Sequence, residues 1–285
     1  MSSSAMTPTV AIVAQGAMGA GVGGRLVEKG LHVITSLAGR SEASAKRAKD
    51  AGMIPASDQE CAQADYFLSI VPPADALALA KKMSALIQSG NKKPIYVDCN
   101  AVSPPTKVEI GNAVTKSGAP FIDVGIIGLP PEPGKSPWLH ASGPDAEKFR
   151  ALGDFGINVN IMEGPVGAAS ALKMSYAGIT KGTTALGAMM MLAATRNGAA
   201  AGLRAELERS QPALLPWFQR AMPAMFPKAY RFVGEMDEIA DFVGEDPAAK
   251  KLYEAISEFY TRLAKDFDGP HVETDALADL LKKKN

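Results

Sequence analysis

The chain has 285 residues, enough for two domains, and its 30 Lys and Arg are matched by 30 Asp and Glu. With that balance, and no charge block beyond the short run Lys282-Lys283-Lys284, nothing marks a nucleic-acid surface or a polybasic membrane anchor. Two cysteines (Cys61, Cys99) and three scattered histidines (His32, His140, His271) give neither a disulfide framework nor metal-ligand spacing, so no metal site is expected. The opening MSSSAMTPT lacks the basic and apolar regions of a secretory leader, and a soluble, cytoplasmic setting is expected.

Thr9 to Ala14 is a short β-rich run that ends in the glycine turn Gln15-Gly16-Ala17-Met18-Gly19 and then in a helical pattern. The spacing Ala14-x-Gly16-x-x-Gly19 is a dinucleotide fingerprint with its first glycine replaced by alanine. The chemistry asks for such residues because the turn must be tight and the backbone must approach a pyrophosphate. The helix that follows offers free N–H groups and a positive dipole end. Leu31 to Ser36 predicts the next strand, and the residues after it carry no acid until Glu42. Arg40 and Ser41 stand there instead, a guanidinium and a hydroxyl suited to a ribose 2′-phosphate, so NADP(H) is favoured over NAD. Ser41 to Ala51 predicts a helix.

The alternation continues with a strand at Ala64 to Val71 that ends in Pro72-Pro73, a helix at Ala74 to Ser89 and a strand at Pro94 to Cys99. A helix at Thr106 to Ser117 and a strand at Pro120 to Ile127 follow, which together imply a parallel sheet with crossovers. Ligands of such sheets sit beyond the carboxyl ends of the strands, where Val71, Pro72, Asn100 and the segment Gly125 to Gly128 fall with the glycine turn. Two short strands, Trp138 to Ser142 and Val159 to Met162, bracket a helix from about Asp145 to Gly153. From Gly164 to Gly198 the chain runs without a proline after Pro165, is rich in small residues and carries charge only at Lys173, Lys181 and Arg196. A long helix, buried nearly all round, is expected, with Lys173 as its anomaly: an ammonium among Ala, Leu, Met and Tyr. Beyond Leu203 every segment reads as helix. Pro212, Pro216, Pro223 and Pro227 break the middle into short pieces, and amphipathic helices are expected at Phe232 to Val243 and Ala248 to Phe267.

Laid end to end, these features resemble the β-hydroxyacid dehydrogenases and their relative 6-phosphogluconate dehydrogenase over essentially the whole chain. The family's glycine turn ending in Met-Gly is matched by Gly16-Ala17-Met18-Gly19, and its cofactor motif by Gly39-Arg40-Ser41. Its Asp-x-Ser-Thr-x-x-Pro segment is similar to Asp98-Cys99-Asn100-Ala101-Val102-Ser103-Pro104. Its Gly-x-Gly-x-x-x-Lys helix start is similar to Gly167 to Lys173, with Ala169 in place of the second glycine. The resemblance implies an α/β plus all-α chain: a Rossmann NADP-binding domain at 1–163, then a long interdomain helix and an all-helical domain at 164–285 for substrate and dimerisation. Two departures mark a divergent subgroup. The serine that binds a substrate carboxylate in the family corresponds to Ile127, and the asparagine one turn after the lysine corresponds to Ala177.

The resemblance implies hydride transfer between NADP(H) and a small carbonyl or alcohol substrate, with Lys173 as general acid and base. Ala14, Gly16, Ala17, Met18, Gly19, Arg40, Ser41, Val71, Pro72 and Asn100 are the expected cofactor residues. Gly125, Ile126, Ile127, Tyr176 and Thr180 are expected to line the substrate, the last two sharing the helix face of Lys173. Tyr230 and His271 are further candidates whose position the sequence leaves open. The missing serine and asparagine point to a larger or less polar substrate than a short hydroxy acid. They also leave two rival readings, a reductase of cyclic imines and a protein that binds NADPH without turnover. A homodimer is expected, with neither nucleic acid nor membrane as partner.

Overall fold

In the computed structural model, which describes residues 7–282, the strands assemble into one eight-stranded sheet of order β3-β2-β1-β4-β5-β6-β7-β8. The strands are β1 (Thr9–Val13), β2 (His32–Ser36), β3 (Ile54–Ala56), β4 (Tyr66–Ser69), β5 (Ile95–Asp98), β6 (Phe121–Ile127), β7 (Trp138–Ser142) and β8 (Asn158–Ile161). The helices of this region are α1 (Ala17–Glu28), α2 (Glu42–Asp50), α3 (Asp58–Cys61), α4 (Pro73–Ser89) and α5 (Pro104–Thr115). The residues at 1–6 and 283–285, which carry most of the leader reading and two of the terminal lysines, lie outside the described part.

Alternation along β1 shows why the sheet is covered on both faces. Val10 and Ile12 point to a core with Leu26, Leu68 and Val124, whereas Ala11 and Val13 point to another with Phe67, Met83 and Ile110. Each side chain so buried stabilises the fold by roughly 1.5–3 kcal/mol for a residue of Val or Leu size. From β3 to β6 every pairing is parallel. The expected all-parallel sheet needs one correction, because β7 runs antiparallel to β6. Residues 128–137 between them form a proline-containing loop with no helix, and without a crossover the chain can only turn back. The expected helix after β7 is a 3₁₀ helix, Ala146–Phe155. The short β3 and α3 were not read from the sequence; Pro55 sits in the edge strand, a position where a sheet tolerates it.

Two compact units share the chain, Met1–Lys173 and Met174–Asn285. The long helix α6 (Ala168–Arg196) begins in the first and supplies the start of the second. The second unit adds α7 (Ala200–Ser210), α8 (Leu214–Met225), α9 (Ala229–Phe242), α10 (Pro247–Phe267) and α11 (Val272–Leu281) around a core of Met174, Leu192, Phe218, Met236, Ile256 and Leu263. Small residues let neighbours approach α6: a Cβ added at Gly178 would meet the Tyr253 hydroxyl at 2.9 Å. The sequence expectation of burial all round is corrected here. Tyr176, Ile179, Leu186 and Met190 are 44% to 66% exposed and lie at helical spacing along one stripe. The expected fragmentation by prolines holds only in part: Pro212 lies in the break between α7 and α8 and Pro227 in the 3₁₀ turn Phe226–Lys228, but the other two sit inside α8. Pro216 occupies the first turn of α8, where a missing N–H is harmless, and Pro223 its last turn.

Candidate active site

The glycine turn lies between β1 and α1. Gly16 is the N-cap of α1, which has no side-chain cap and no acid in its first turn, so its first N–H groups have no intrahelical acceptor. A Cβ at Gly16 would meet nothing within 4 Å, while one at Gly19 would overlap the Ala14 carbonyl oxygen. Gly19 is therefore small for packing, and Gly16 leaves open space over the helix end. Buried Gln15 pins the turn by donating to the Thr35 hydroxyl, and Arg47 donates from Nε to the Gln15 carbonyl at 2.7 Å. Such a cradle of free N–H groups beside open space fits a pyrophosphate.

Beyond the end of β2, Arg40 is partly exposed, and Ser41 caps α2 through an Oγ that accepts from Ser44 N at 3.3 Å. The fold adds an acid that the sequence placed elsewhere. Asp58, first residue of α3, pairs with Lys82 at 2.6 Å and lies in the field of Arg40. Burial opposes its charge, yet Lys82 and the Ser36 hydroxyl hold the Asp58 carboxyl below its ordinary value.

At the ends of β4 and β5, buried Asn100 ties two loops together. Its Oδ1 accepts from Val71 N at 2.7 Å, and its Nδ2 donates to Ser69 Oγ at 2.8 Å and Asp98 Oδ2 at 2.7 Å. Both amide hydrogens are thus used inside the protein. Pro72 precedes α4 as its N-cap and is exposed.

Beneath these loops lies a fully buried ionic cluster. The Lys107 ammonium donates to the Asp98 carbonyl at 2.7 Å and to Asp98 Oδ1, and stands 3.4 Å from Asp123 Oδ1. Although burial disfavours its charge, Asp98 and Asp123 keep Lys107 above the ordinary lysine value. The Asp123 carboxylate in turn accepts from Gly167 N at 2.9 Å, Ser170 N at 3.1 Å and Ser170 Oγ at 2.8 Å. It also accepts from Ser142 Oγ at 3.2 Å, and that hydroxyl accepts from Ala169 N at 2.9 Å. The start of α6 is therefore fastened to β6 and β7.

One turn beyond Ser170, Lys173 is half-buried, with Gly125 opposite its stem; a Cβ at Gly125 would meet Ala169 O at 2.5 Å and Lys173 Cβ at 3.3 Å. Burial, reinforced by the Lys107 ammonium, lowers Lys173 to about 8, against the opposing pull of Cys99, Asp98 and Asp123. The positive end of α6 is closed by Asp123, which accepts from Gly167 N, Ser170 N and Ser170 Oγ. Cys99 itself is pushed up to about 12, chiefly by burial, and is no nucleophile at neutral pH.

The expected substrate residues part company. Gly125 and Ile127 share the strand face of Asp123 by alternation, whereas Ile126 turns into the core with Val124. The Ile126 side chain thus packs in the core, on the strand face opposite Gly125 and Ile127. Tyr176 and Thr180 belong to the second unit, where they line a hollow of about 290 Å³ with Lys181, Trp217, Lys228 and Phe232. Tyr230 is 65% exposed, and His271 is the N-cap of α11 in a left-handed conformation, its ring edge-on to Phe267. Lys107 was missed. Its signal was present, since it precedes Ile110, Gly111 and Val114 at the 3–4 spacing of the buried face of α5.

Residues 9–152, just over half of the chain, match the NAD binding domain of 6-phosphogluconate dehydrogenase. The chain belongs to that family. Residues 194–263 of this 6-phosphogluconate dehydrogenase-like protein match a domain of unknown function, DUF1932. An uncharacterized 28.5 kDa protein of Methanothermus fervidus is 35% identical over 158 residues, 55% of this chain and 59% of that protein. The match thus spans little more than half of either chain. The conserved protein MTH1747, of unknown function and structurally similar to 3-hydroxyacid dehydrogenases, is 28% identical, with a TM-score of 0.76 over 91% of this chain and 98% of its own. Mycobacterium tuberculosis 3-hydroxyisobutyrate dehydrogenase has a TM-score of 0.75 at 16% identity, covering 96% and 99%. An imine reductase variant from Myxococcus stipitatus, in complex with NAD⁺, has 0.61 at 18%, covering 97% and 100%. These last two likenesses show the fold alone. The low identities make the chain a divergent member of the dehydrogenase-like group. Among the described residues no helix is long and apolar enough to cross a membrane, and no three His, Cys, Asp or Glu are grouped to hold a metal ion.

Proposed function

We propose that the protein is an NADP(H)-dependent oxidoreductase that interconverts a carbonyl and an alcohol, with Lys173 as general acid in reduction and general base in oxidation. The observation that carries this reading is Lys173 itself: a half-buried amine opposite Gly125 whose ammonium is lowered to about 8. Reduction builds negative charge on the substrate oxygen, and a donor with a proton affinity near the working pH is well matched to supply the proton. Gly16, Ala17, Met18 and Gly19 would hold the pyrophosphate at the end of α1, with Ala14 shaping the turn. Arg40 and Ser41 would take the 2′-phosphate and Val71 and Pro72 would line the nicotinamide side, with Val71 N held by Asn100 Oδ1. Once bound, the nicotinamide supplies or accepts the hydride. Gly125 and Ile127 would offer the substrate an apolar wall.

The apolar residues Ile127 and Ala177, where the family carries serine and asparagine, favour a less polar substrate and keep imine reduction as a second reading. The exposed apolar stripe of α6 supports a homodimer; a monomer mass by light scattering would remove that expectation.

The test is NADPH and NADH oxidation against aldehydes, 3-oxo and 2-oxo acids, aryl ketones and cyclic imines, with Lys173→Ala alongside. Turnover of one carbonyl class, with a loss of about 10²-fold or more in the variant, is expected. The acid form of Lys173 prevails below about 8, so the reduction rate falls as pH rises through that value and the oxidation rate climbs. Cyclic imines reduced equally well by Lys173→Ala would establish the second reading, and tight NADPH binding without turnover would sink both.

A further inference from the structure

Two carboxylates and one ammonium share the buried cluster, so Asp98 and Asp123 together exceed the charge of Lys107 by one. Lys173 follows Ser170, a donor to Asp123, by three residues on α6. Its field includes Lys107 from α5, Asp98 and Cys99 from the end of β5, and Asp123 from β6. Asp123 already holds the backbone one turn before Lys173 through Gly167 and Ser170. Gly125, two residues along the same strand, brings the lysine stem against β6. Besides their neutral donors, the two acids have the Lys107 ammonium as their counter-charge.

We propose that Lys107 is a positioning residue for Lys173: it supplies the counter-charge to Asp98 and Asp123, so that neither carboxylate draws the Lys173 ammonium down into the cluster. The proposal rests on Lys173 being the proton-transfer group. Lys107 touches no reacting atom. It acts by satisfying acids that an uncompensated interior would otherwise neutralise with the nearest cation. Its position on the apolar stripe of α5, beside Ile110 and Val114, gives it no route to solvent and hence no surface role.

The experiment reads the Lys173 amine directly rather than through turnover. The full-length protein is acetylated with a limiting dose of acetic anhydride over a pH series. Modification at Lys173 is then quantified by mass spectrometry against the exposed lysines, with near-UV circular dichroism as the check on folding. Wild-type Lys173 is expected to gain reactivity with a midpoint at about 8, well below the surface lysines. Lys107→Met moves that midpoint up by at least about one pH unit, a tenfold change in proton affinity. Lys107→Arg, which keeps the charge, leaves it low. Asp98→Asn moves it down, and Lys107→Met combined with Asp98→Asn returns it towards wild type. A folded Lys107→Met protein with an unchanged midpoint overturns the proposal. Should that variant fail to fold, an unchanged midpoint in Asp98→Asn overturns it equally. The two claims fail separately. A Lys173→Ala enzyme as active as wild type would remove the lysine from the chemistry while leaving the labelling result intact, and a static midpoint would remove Lys107 while leaving Lys173 catalytic.

Discussion

The N-terminus of α1 carries no side-chain cap, no acidic residue in its first turn and open space where a Gly16 side chain would stand. The N-terminus of α6 is the reverse, closed by Asp123 on Gly167 and Ser170 and by Ser142 on Ala169. Both helices begin with glycine and small residues, and by composition alone each offers the same positive dipole end. The difference lies in what the neighbouring strands present. One end is left for an anion from outside. The other is neutralised from within, so that what α6 contributes is the side chain of Lys173 and not its backbone.

The largest effect is expected from opening the closed end. Asp123→Ala removes the acceptor of two donors of α6 and of Gly167 N just before it, and half of the charge that balances buried Lys107. A loss of about 3–5 kcal/mol of stability follows, as for other broken buried pairs, and urea denaturation measures it. A variant within about 1 kcal/mol of wild type would mean that the closure is not what anchors α6. The smaller effect comes from filling the open end. Gly16→Ala adds a methyl that meets no protein atom within 4 Å, at a φ of −70° that alanine adopts freely. Stability should be unchanged, while dinucleotide affinity falls by roughly tenfold, a penalty of about 1.4 kcal/mol, because the added methyl would crowd a bound pyrophosphate. Undiminished affinity in Gly16→Ala, measured by calorimetry with NADPH, would move the pyrophosphate away from this turn.

Much of this was legible in the chain because it is local. Strand, turn and helix around Gly16 are neighbours in sequence, and their hydrophobic periods and glycine positions announce them. The anomaly of Lys173 was legible for the same reason, as a charge in an apolar helix. The antiparallel turn of β7 was not, since strand direction depends on what residues 128–137 do in space. The exposed stripe of α6 escaped notice because apolar residues read as buried until a neighbour is found missing. That Ile126 packs into the core while Gly125 and Ile127 face the other way was implicit in the strand alternation.

By itself, then, the sequence determined the order of the main strands and helices, the glycine turn, the candidate phosphate-side residues Arg40 and Ser41, and the lysine at the head of the long helix. Each follows from residue type and short-range spacing. Only the tertiary structure decided that Asp98, Lys107 and Asp123 meet, that Asn100 spends its amide on Val71 and Asp98, and that Asp58 arrives beside Ser36 and Arg40. Those pairs come from separate elements. Charge interactions between them depend on distance and burial, and neither quantity exists until the sheet has closed over them.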